Sequence, residues 1–412
     1  MSSPSTTHIW LRDEVKPFEQ RTALTPSDAE KLIKEQGFKI TVEKSKVRCF
    51  SDEMYEQVGC ELVASNSWIH AAPKIQANDQ FFILGLKELP LPDTHLDGVG
   101  QVPKVLPQRH IFFAHCYKRQ SDWKDTMSRF VLAEPQGEIL DLEFLNLDNG
   151  RRVAAFGFAA GFNGMAMGLI TYCKQLLHGD DLKEVNKQVD PFKNRHELIE
   201  YIKSLLAKVE TPKVLVLGAL GRCGSGSVKC AEMCGLPADK IIKWDIQETQ
   251  KGGPFPELAT DIDILVNDIY LSGKIEPFLT MDMVNQDNRK LRVFIDVSCD
   301  VTNPYNPFPI NNQVTTFDQP IRRVTPANAK PLDVCAIDHL PTMTPQESSD
   351  EFSNALVPYL AQLKNVKFVS SQIGNDEKLE VVKDSTTEGM RVWIRARELY
   401  AKKVEEFNQE CL

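Results

Sequence analysis

Lys87 and His115 are the residues of this chain best placed by their neighbours to move protons. Lys87 follows the apolar run Phe81–Leu86, FFILGL, and His115 follows His110–Ala114, HIFFA. Such runs read as buried strands of an open α/β sheet, which binds ligands in the crevice beyond its strands' carboxyl ends. An imidazole exchanges protons near neutral pH unaided. A lysine amine starts at a pKa of about 10.4 and becomes a base only where desolvation or a nearby positive charge lowers it. Glu88, beside Lys87, and Glu143, in the alternating stretch Leu140–Phe144, would raise it if close. Taken singly, a solvated lysine and a structural histidine explain each residue as well; their equivalent placement is what points to acid–base chemistry.

A second centre is Lys213–Gly226, KVLVLGALGRCGSG. The spacing predicts a buried strand, a turn with glycines at 218, 221, 224 and 226 holding Arg222 and Cys223, and a helix over Ser227–Cys234. Free peptide N–H groups and the helix dipole make such a turn an anion site. The second glycine falls three positions after Gly218, not the two of the common dinucleotide fingerprint. Lys240–Asp245, KIIKWD, then reads as a strand ending in an acid nineteen residues after Gly226, where a carboxylate accepts ribose hydroxyls. An acid there repels the extra phosphate of NADP, so NAD is the expected cofactor.

The elements that must position these groups suit two domains in a chain of 412 residues. The first α/β domain takes strands at Ile9–Leu11 and Phe38–Val42, a helix capped by Ser27 and another over Ser51–Val58. Val153–Cys173 is uncharged for twenty-one residues, long enough to span a membrane. Its four glycines and Asn163 favour a helix buried in protein instead. A charged helix over Asn194–Leu206 and strands at Asp263–Asn267 and Arg292–Val297 follow, and Val392–Phe407 reads as an amphipathic helix. The polar stretch 365–389 reads as a surface insertion. A net charge of −9 argues against a nucleic-acid partner. Ten cysteines without a C-x-x-C pair predict no metal site and a reducing compartment. With no basic, apolar start and with Glu-Cys-Leu at the end in place of a Ser-Lys-Leu address, cytoplasm is favoured over peroxisome.

Seven segments carry a family resemblance: KPFEQRTALTP at 16–26, LGLKELP at 84–90, FFAHCYK at 112–118, GRRVAAFGF at 150–158, LGALGRCGSG at 217–226, KWDIQET at 243–249 and IDHLP at 337–341. In order, across nearly the whole chain, they resemble the fungal saccharopine dehydrogenase family, NAD-dependent and L-lysine-forming. More distantly the layout is similar to alanine dehydrogenase and transhydrogenase. The resemblance implies an α/β fold of two Rossmann-like domains, their parallel-rich sheets flanking a central cleft. Residues 1–152 with 342–412 would form the substrate and catalytic domain, and 153–341 the NAD-binding domain. Lys87 and His115 would be the acid–base pair, with Glu88 and Glu143 beside them. Arg21, Lys118 and Arg151 would lie near substrate carboxylates, Arg152 being the alternative to Arg151. Gly221, Arg222, Cys223 and Gly224 would hold the pyrophosphate and Asp245 the ribose. Thr249 would lie on the cofactor side, as would Asp338, which faces the cleft. Asp268 stands where the family pattern has a cysteine, so no redox link from that position to Cys223 is available.

The reaction so implied is the reversible oxidative cleavage of L-saccharopine to L-lysine and 2-oxoglutarate, the last step of lysine synthesis by the α-aminoadipate route. It needs a proton taken from a secondary ammonium, hydration of the resulting imine and collapse of a carbinolamine. Lys87 is assigned the amine proton and His115 the later steps, with exchange of roles left open. Three substrate carboxylates suit forked guanidinium groups. A monomer is expected. The alternatives are an alanine dehydrogenase-like enzyme and a non-catalytic NAD-binding regulator.

Overall fold

The computed structural model describes residues 6–71, 80–118, 122–133, 137–271, 273–299, 301, 303–327, 329–366 and 387–411. Most of the stretch read as a surface insertion, 367–386, lies outside them. The chain divides into two compact units, Met1–Ala155 with Ser349–Leu412, and Phe156–Ser348.

In the first unit six parallel strands lie in the order Glu61–Val63, Lys39–Glu43, His8–Leu11, Phe81–Leu84, Arg109–Phe112, Glu138–Asp141. The order reverses between His8–Leu11 and Phe81–Leu84, the switch point at which α/β sheets take ligands. Ile9, Leu11, Ile83, Leu84 and Ile111 are almost wholly buried, which is why these runs are apolar without alternation. The helix Glu388–Cys411 brings Tyr400, Val404 and Phe407 into this core, so the chain's last helix belongs to its first unit. Thr25, not Ser27, caps the helix Pro26–Gln36: its Oγ1 accepts from the Asp28 N–H, and Pro26 occupies the first turn, where no N–H is needed. Phe81–Leu84 stops two residues short of its apolar run, because the N–H groups of Leu86 and Lys87 bond to the Glu14 side chain. Glu143 sits in a 3₁₀ turn, Leu142–Phe144, and not in a strand.

The second unit holds a six-stranded sheet ordered Ile241–Trp244, Val214–Leu217, Ile264–Asn267, Val293–Asp296, Asp333–Cys335, Arg322–Arg323, antiparallel only at the last pair. The glycine-studded stretch is the helix Gly157–Leu177, most of it buried. It crosses the helix Arg222–Met233 at backbone contact: a Cβ at Gly161 would collide with the Cys223 carbonyl, and one at Gly226 with that of Phe158. That packing compensates the poor helix propensity of Gly224 and Gly226, so the helix begins at Arg222 rather than Ser227. Among the described residues no helix is long and apolar enough to cross a membrane.

Candidate functional site

In the first unit the carboxyl ends of two neighbouring strands build a charged group around Glu143. His115 follows Arg109–Phe112 with φ +55°, a left-handed conformation that a non-glycine residue adopts only when its surroundings demand it. Its ring lies near-parallel to Phe113, 6.2 Å between centroids. Its Nδ1 is 3.5 Å from Glu143 Oε2, at the outer limit of hydrogen bonding. Glu143 Oε1 accepts from Lys118 Nζ at 2.7 Å and lies 3.5 Å from Arg152. Beneath them Asp141 is buried, with Oδ1 accepting the Glu143 N–H at 2.9 Å and Oδ2 without a partner. Burial raises Glu143, but hydrogen bonds and charges from His115 and Lys118 outweigh it and depress its pKa to about 2. Burial pushes Asp141 up to about 6, with the Glu143 charge adding to the rise and the Glu143 amide and His115 opposing it. Two carboxyls set this far apart, around one imidazole, can hold and release protons in different pH ranges.

Lys87 and Glu88 follow Phe81–Leu84. Glu88 is half exposed, with Lys16 Nζ 3.8 Å away. Desolvation raises it, yet the charges of Lys16, Lys87 and His115 together hold its carboxyl below the usual range. Arg21 is buried in a forked pair with Glu19, at 2.8 and 2.5 Å. The void at this cluster is only about 10 Å³, so Arg21 would reach a substrate carboxylate only in exchange for Glu19. Arg151 is exposed; Arg152 is the one that faces Glu143.

In the second unit the turn after Val214–Leu217 leads into the helix Arg222–Met233, capped by Gly221 with no side-chain hydrogen bond. A Cβ at Gly224 would overlap the Gly218 carbonyl, so the helix start can sit against the strand end only because that residue is glycine. Asp245 Oδ2 accepts the Leu220 N–H of the same turn at 2.9 Å, and Oδ1 accepts from Ile246 at 2.8 Å. Each oxygen keeps a further lone pair for a ribose hydroxyl. This cradle fits a dinucleotide: an uncapped helix start for the pyrophosphate and an anchored acid for the ribose. Thr249 is spent locally, its hydroxyl donating to the Asp245 carbonyl at 2.9 Å. Cys223 is half-buried, and all ten cysteines are free thiols. Asp338 is partly exposed and pairs with the buried His339.

Two residues the sequence reading passed over, Glu14 and Asp141, obey the same rule applied to the remaining strands. Glu14 follows His8–Leu11 closely, and Asp141 ends Glu138–Asp141. Asp268 follows Ile264–Asn267, and burial raises its pKa to about 7, with Ser227 opposing and Asp296 assisting. Ser227 Oγ is 2.9 Å from the Gly161 carbonyl and 2.8 Å from Asp268 Oδ2. One hydroxyl proton serves one acceptor at a time, so the Ser227 hydrogen bond offsets only part of the burial of Asp268. Its buried Oδ1 lacks a partner, as suits a neutral carboxyl.

The family described as alanine dehydrogenase/PNT, N-terminal domain, matches residues 10–163. Saccharopine dehydrogenase [NAD(+), L-lysine-forming] of Schizosaccharomyces pombe is 44% identical, over 97% of this chain and 98% of its own. The protein of that name from Yarrowia lipolytica is 47% identical over 88% of this chain and 93% of its own. Among solved structures an L-alanine dehydrogenase superposes with a TM-score of 0.59 at 15% identity, covering 98% of this chain and 99% of that one. At that identity the likeness concerns the fold alone.

Proposed function

The chain belongs to the saccharopine dehydrogenase [NAD(+), L-lysine-forming] family, and from that membership we propose how its own residues carry the reaction. The enzyme is an NAD-dependent oxidoreductase that interconverts L-saccharopine with L-lysine and 2-oxoglutarate. The turn Gly221–Gly224 would hold the pyrophosphate of NAD and Asp245 its adenosine ribose. NAD held there would supply the acceptor for the hydride leaving the carbon that carries the secondary amine.

Lys87 removes the proton from the substrate's secondary ammonium, freeing the nitrogen pair that expels the hydride. Water then adds to the imine carbon and gives its proton to His115. The imidazolium returns that proton to nitrogen, and as the carbinolamine C–N bond breaks the neutral imidazole takes up the hydroxyl proton, releasing lysine and leaving a keto acid. Glu143 orients the His115 ring and its charge supports the imidazolium. Lys118 and Arg152, with Arg151 and Arg21 as further candidates, would neutralise substrate carboxylates. Thr249, whose hydroxyl donates to the Asp245 carbonyl, and Asp338 are the further candidates on the cofactor side. The observation that supports the assignment is that Lys87 and His115 follow two paired strands of one sheet, with His115 Nδ1 3.5 Å from Glu143.

NADH absorbance with purified protein, L-lysine and 2-oxoglutarate is the test. Oxidation that requires both substrates supports the reading; oxidation with alanine's partners, pyruvate and ammonia, in place of lysine overturns it. A cytoplasmic location and a monomeric state belong to the same proposal, supported by ten unbridged thiols and by net charge. Cell fractionation and light scattering test them.

A further inference from the structure

Glu14 lies at the switch point of the first sheet, just past the strand His8–Leu11, with its side chain 6% exposed. Its oxygens accept two successive peptide N–H groups of the neighbouring strand's loop, Oε1 from Leu86 at 2.6 Å and Oε2 from Lys87 at 2.9 Å. Arg12, 1% exposed, stands 3.4 Å from Glu14 and donates to the Lys87 carbonyl. Lys87 is thus gripped at both its N–H and its C=O by side chains from the adjacent strand end. The grip depends on Gly85, since a Cβ there would overlap the Arg12 guanidinium.

A buried ion pair is a poor device for stability alone, because desolvating two charges costs several kcal/mol and well-packed apolar residues often serve as well. Burial duly raises the Glu14 carboxyl, against the Arg12 charge and the two amides. Both amide bonds need the ionised form, because a protonated carboxyl would turn an O–H toward an N–H. What this costly pair does achieve is to fix the peptide from which the Lys87 side chain departs.

We propose that Glu14, backed by Arg12, is the positioning residue for Lys87, setting where its amine meets the substrate nitrogen. The inference rests on Lys87 being the acid–base group, and it deepens that reading. A four-carbon side chain amplifies any rotation of its backbone, and a misplacement of about 1 Å at a reacting group can cost on the order of a hundredfold in rate.

The test compares full-length Glu14→Gln and Glu14→Asp with Lys87→Met. Hydride transfer from saccharopine to NAD is followed in single turnovers across pH, with NADH affinity measured separately by fluorescence. Glu14→Gln, which sets an amide NH₂ against one of the two N–H groups, should slow hydride transfer on the order of a hundredfold. It should also displace the basic limb of the pH profile, while leaving saccharopine KM and NADH affinity within a few-fold. Glu14→Asp, which keeps the charge but draws it back by one methylene, should fall between. A wild-type rate and profile in Glu14→Gln beside an inactive Lys87→Met overturns the inference, as does an equal loss of NADH affinity, which marks general damage. If Glu14→Gln does not fold, an unchanged rate and profile in Glu14→Asp overturns it equally. Wild-type transfer in Lys87→Met instead sinks the acid–base assignment beneath it.

Discussion

Replacing Asp268 by asparagine asks whether a buried carboxyl in the cofactor unit carries a proton. An asparagine NH₂ can donate to Ser227 Oγ while Ser227 donates to the Gly161 carbonyl, so the packing is kept. The folded pKa is raised from 3.8 to about 7. Three units correspond to about 4 kcal/mol, at about 1.4 kcal/mol each. Because the folded value lies above the unfolded one, the native state holds a proton that the unfolded chain has released. Its stabilising contribution is whole below about pH 4 and is lost as pH rises to about 7, after which the loss is constant. The amide in the variant does not titrate and has no such dependence. Wild type should therefore lose about 1.4 kcal/mol per pH unit relative to Asp268→Asn between about pH 4 and 7, and then run parallel to it. Amide hydrogen exchange on the core strands Val214–Leu217 and Ile264–Asn267, corrected for intrinsic rates, reads the opening free energy of this unit at each pH. Wild-type and variant curves that stay parallel throughout would refute a raised folded pKa at Asp268.

The other expectations are simpler. Glu143→Gln should cost the first unit about 3 kcal/mol near neutral pH, from a folded pKa of about 2 against 4.5. Because the folded value is depressed, that difference should vanish as pH falls from about 4.5 to 2, which acid-unfolding curves of the two proteins would reveal. Asp245→Ser should narrow the preference for NADH over NADPH on the order of tenfold in paired fluorescence titrations, since one charge near the ribose is worth about 1 kcal/mol or more. Gly161→Ala should destabilise the second unit by about 1 to 3 kcal/mol, because the colliding atom is backbone and cannot swing aside. A melting temperature lowered by several degrees would show it, and an unchanged one would deny the close helix crossing.

Much of this molecule follows from neighbours in sequence. Apolar runs without alternation mark strands covered on both faces, so Lys87 and His115 could be assigned to strand ends from one short stretch each, whereas Asp245 ends a half-exposed edge strand and was placed by its spacing from the glycine turn. The glycine turn was legible for the same reason, although the helix it opens starts earlier than propensity predicts. Arg151 and Arg152 could not be separated in that way, since which of two adjacent residues faces Glu143 depends on how the loop folds back. Arg21 was placed near substrate carboxylates by the family resemblance alone, and only the folded loop shows its fork closed by Glu19. Local pattern thus marked the glycine turn and the strand ends that carry Lys87 and His115, while the two-domain Rossmann-like fold was implied by the family resemblance. Tertiary structure alone decided which carboxyls keep protons and which backbone they hold. Glu14 meets Leu86 and Lys87, Ser227 meets Gly161 and Asp268, and Glu143 meets Lys118 only after folding. Burial and charge pairing act through space between residues far apart in the chain, and no local pattern encodes them.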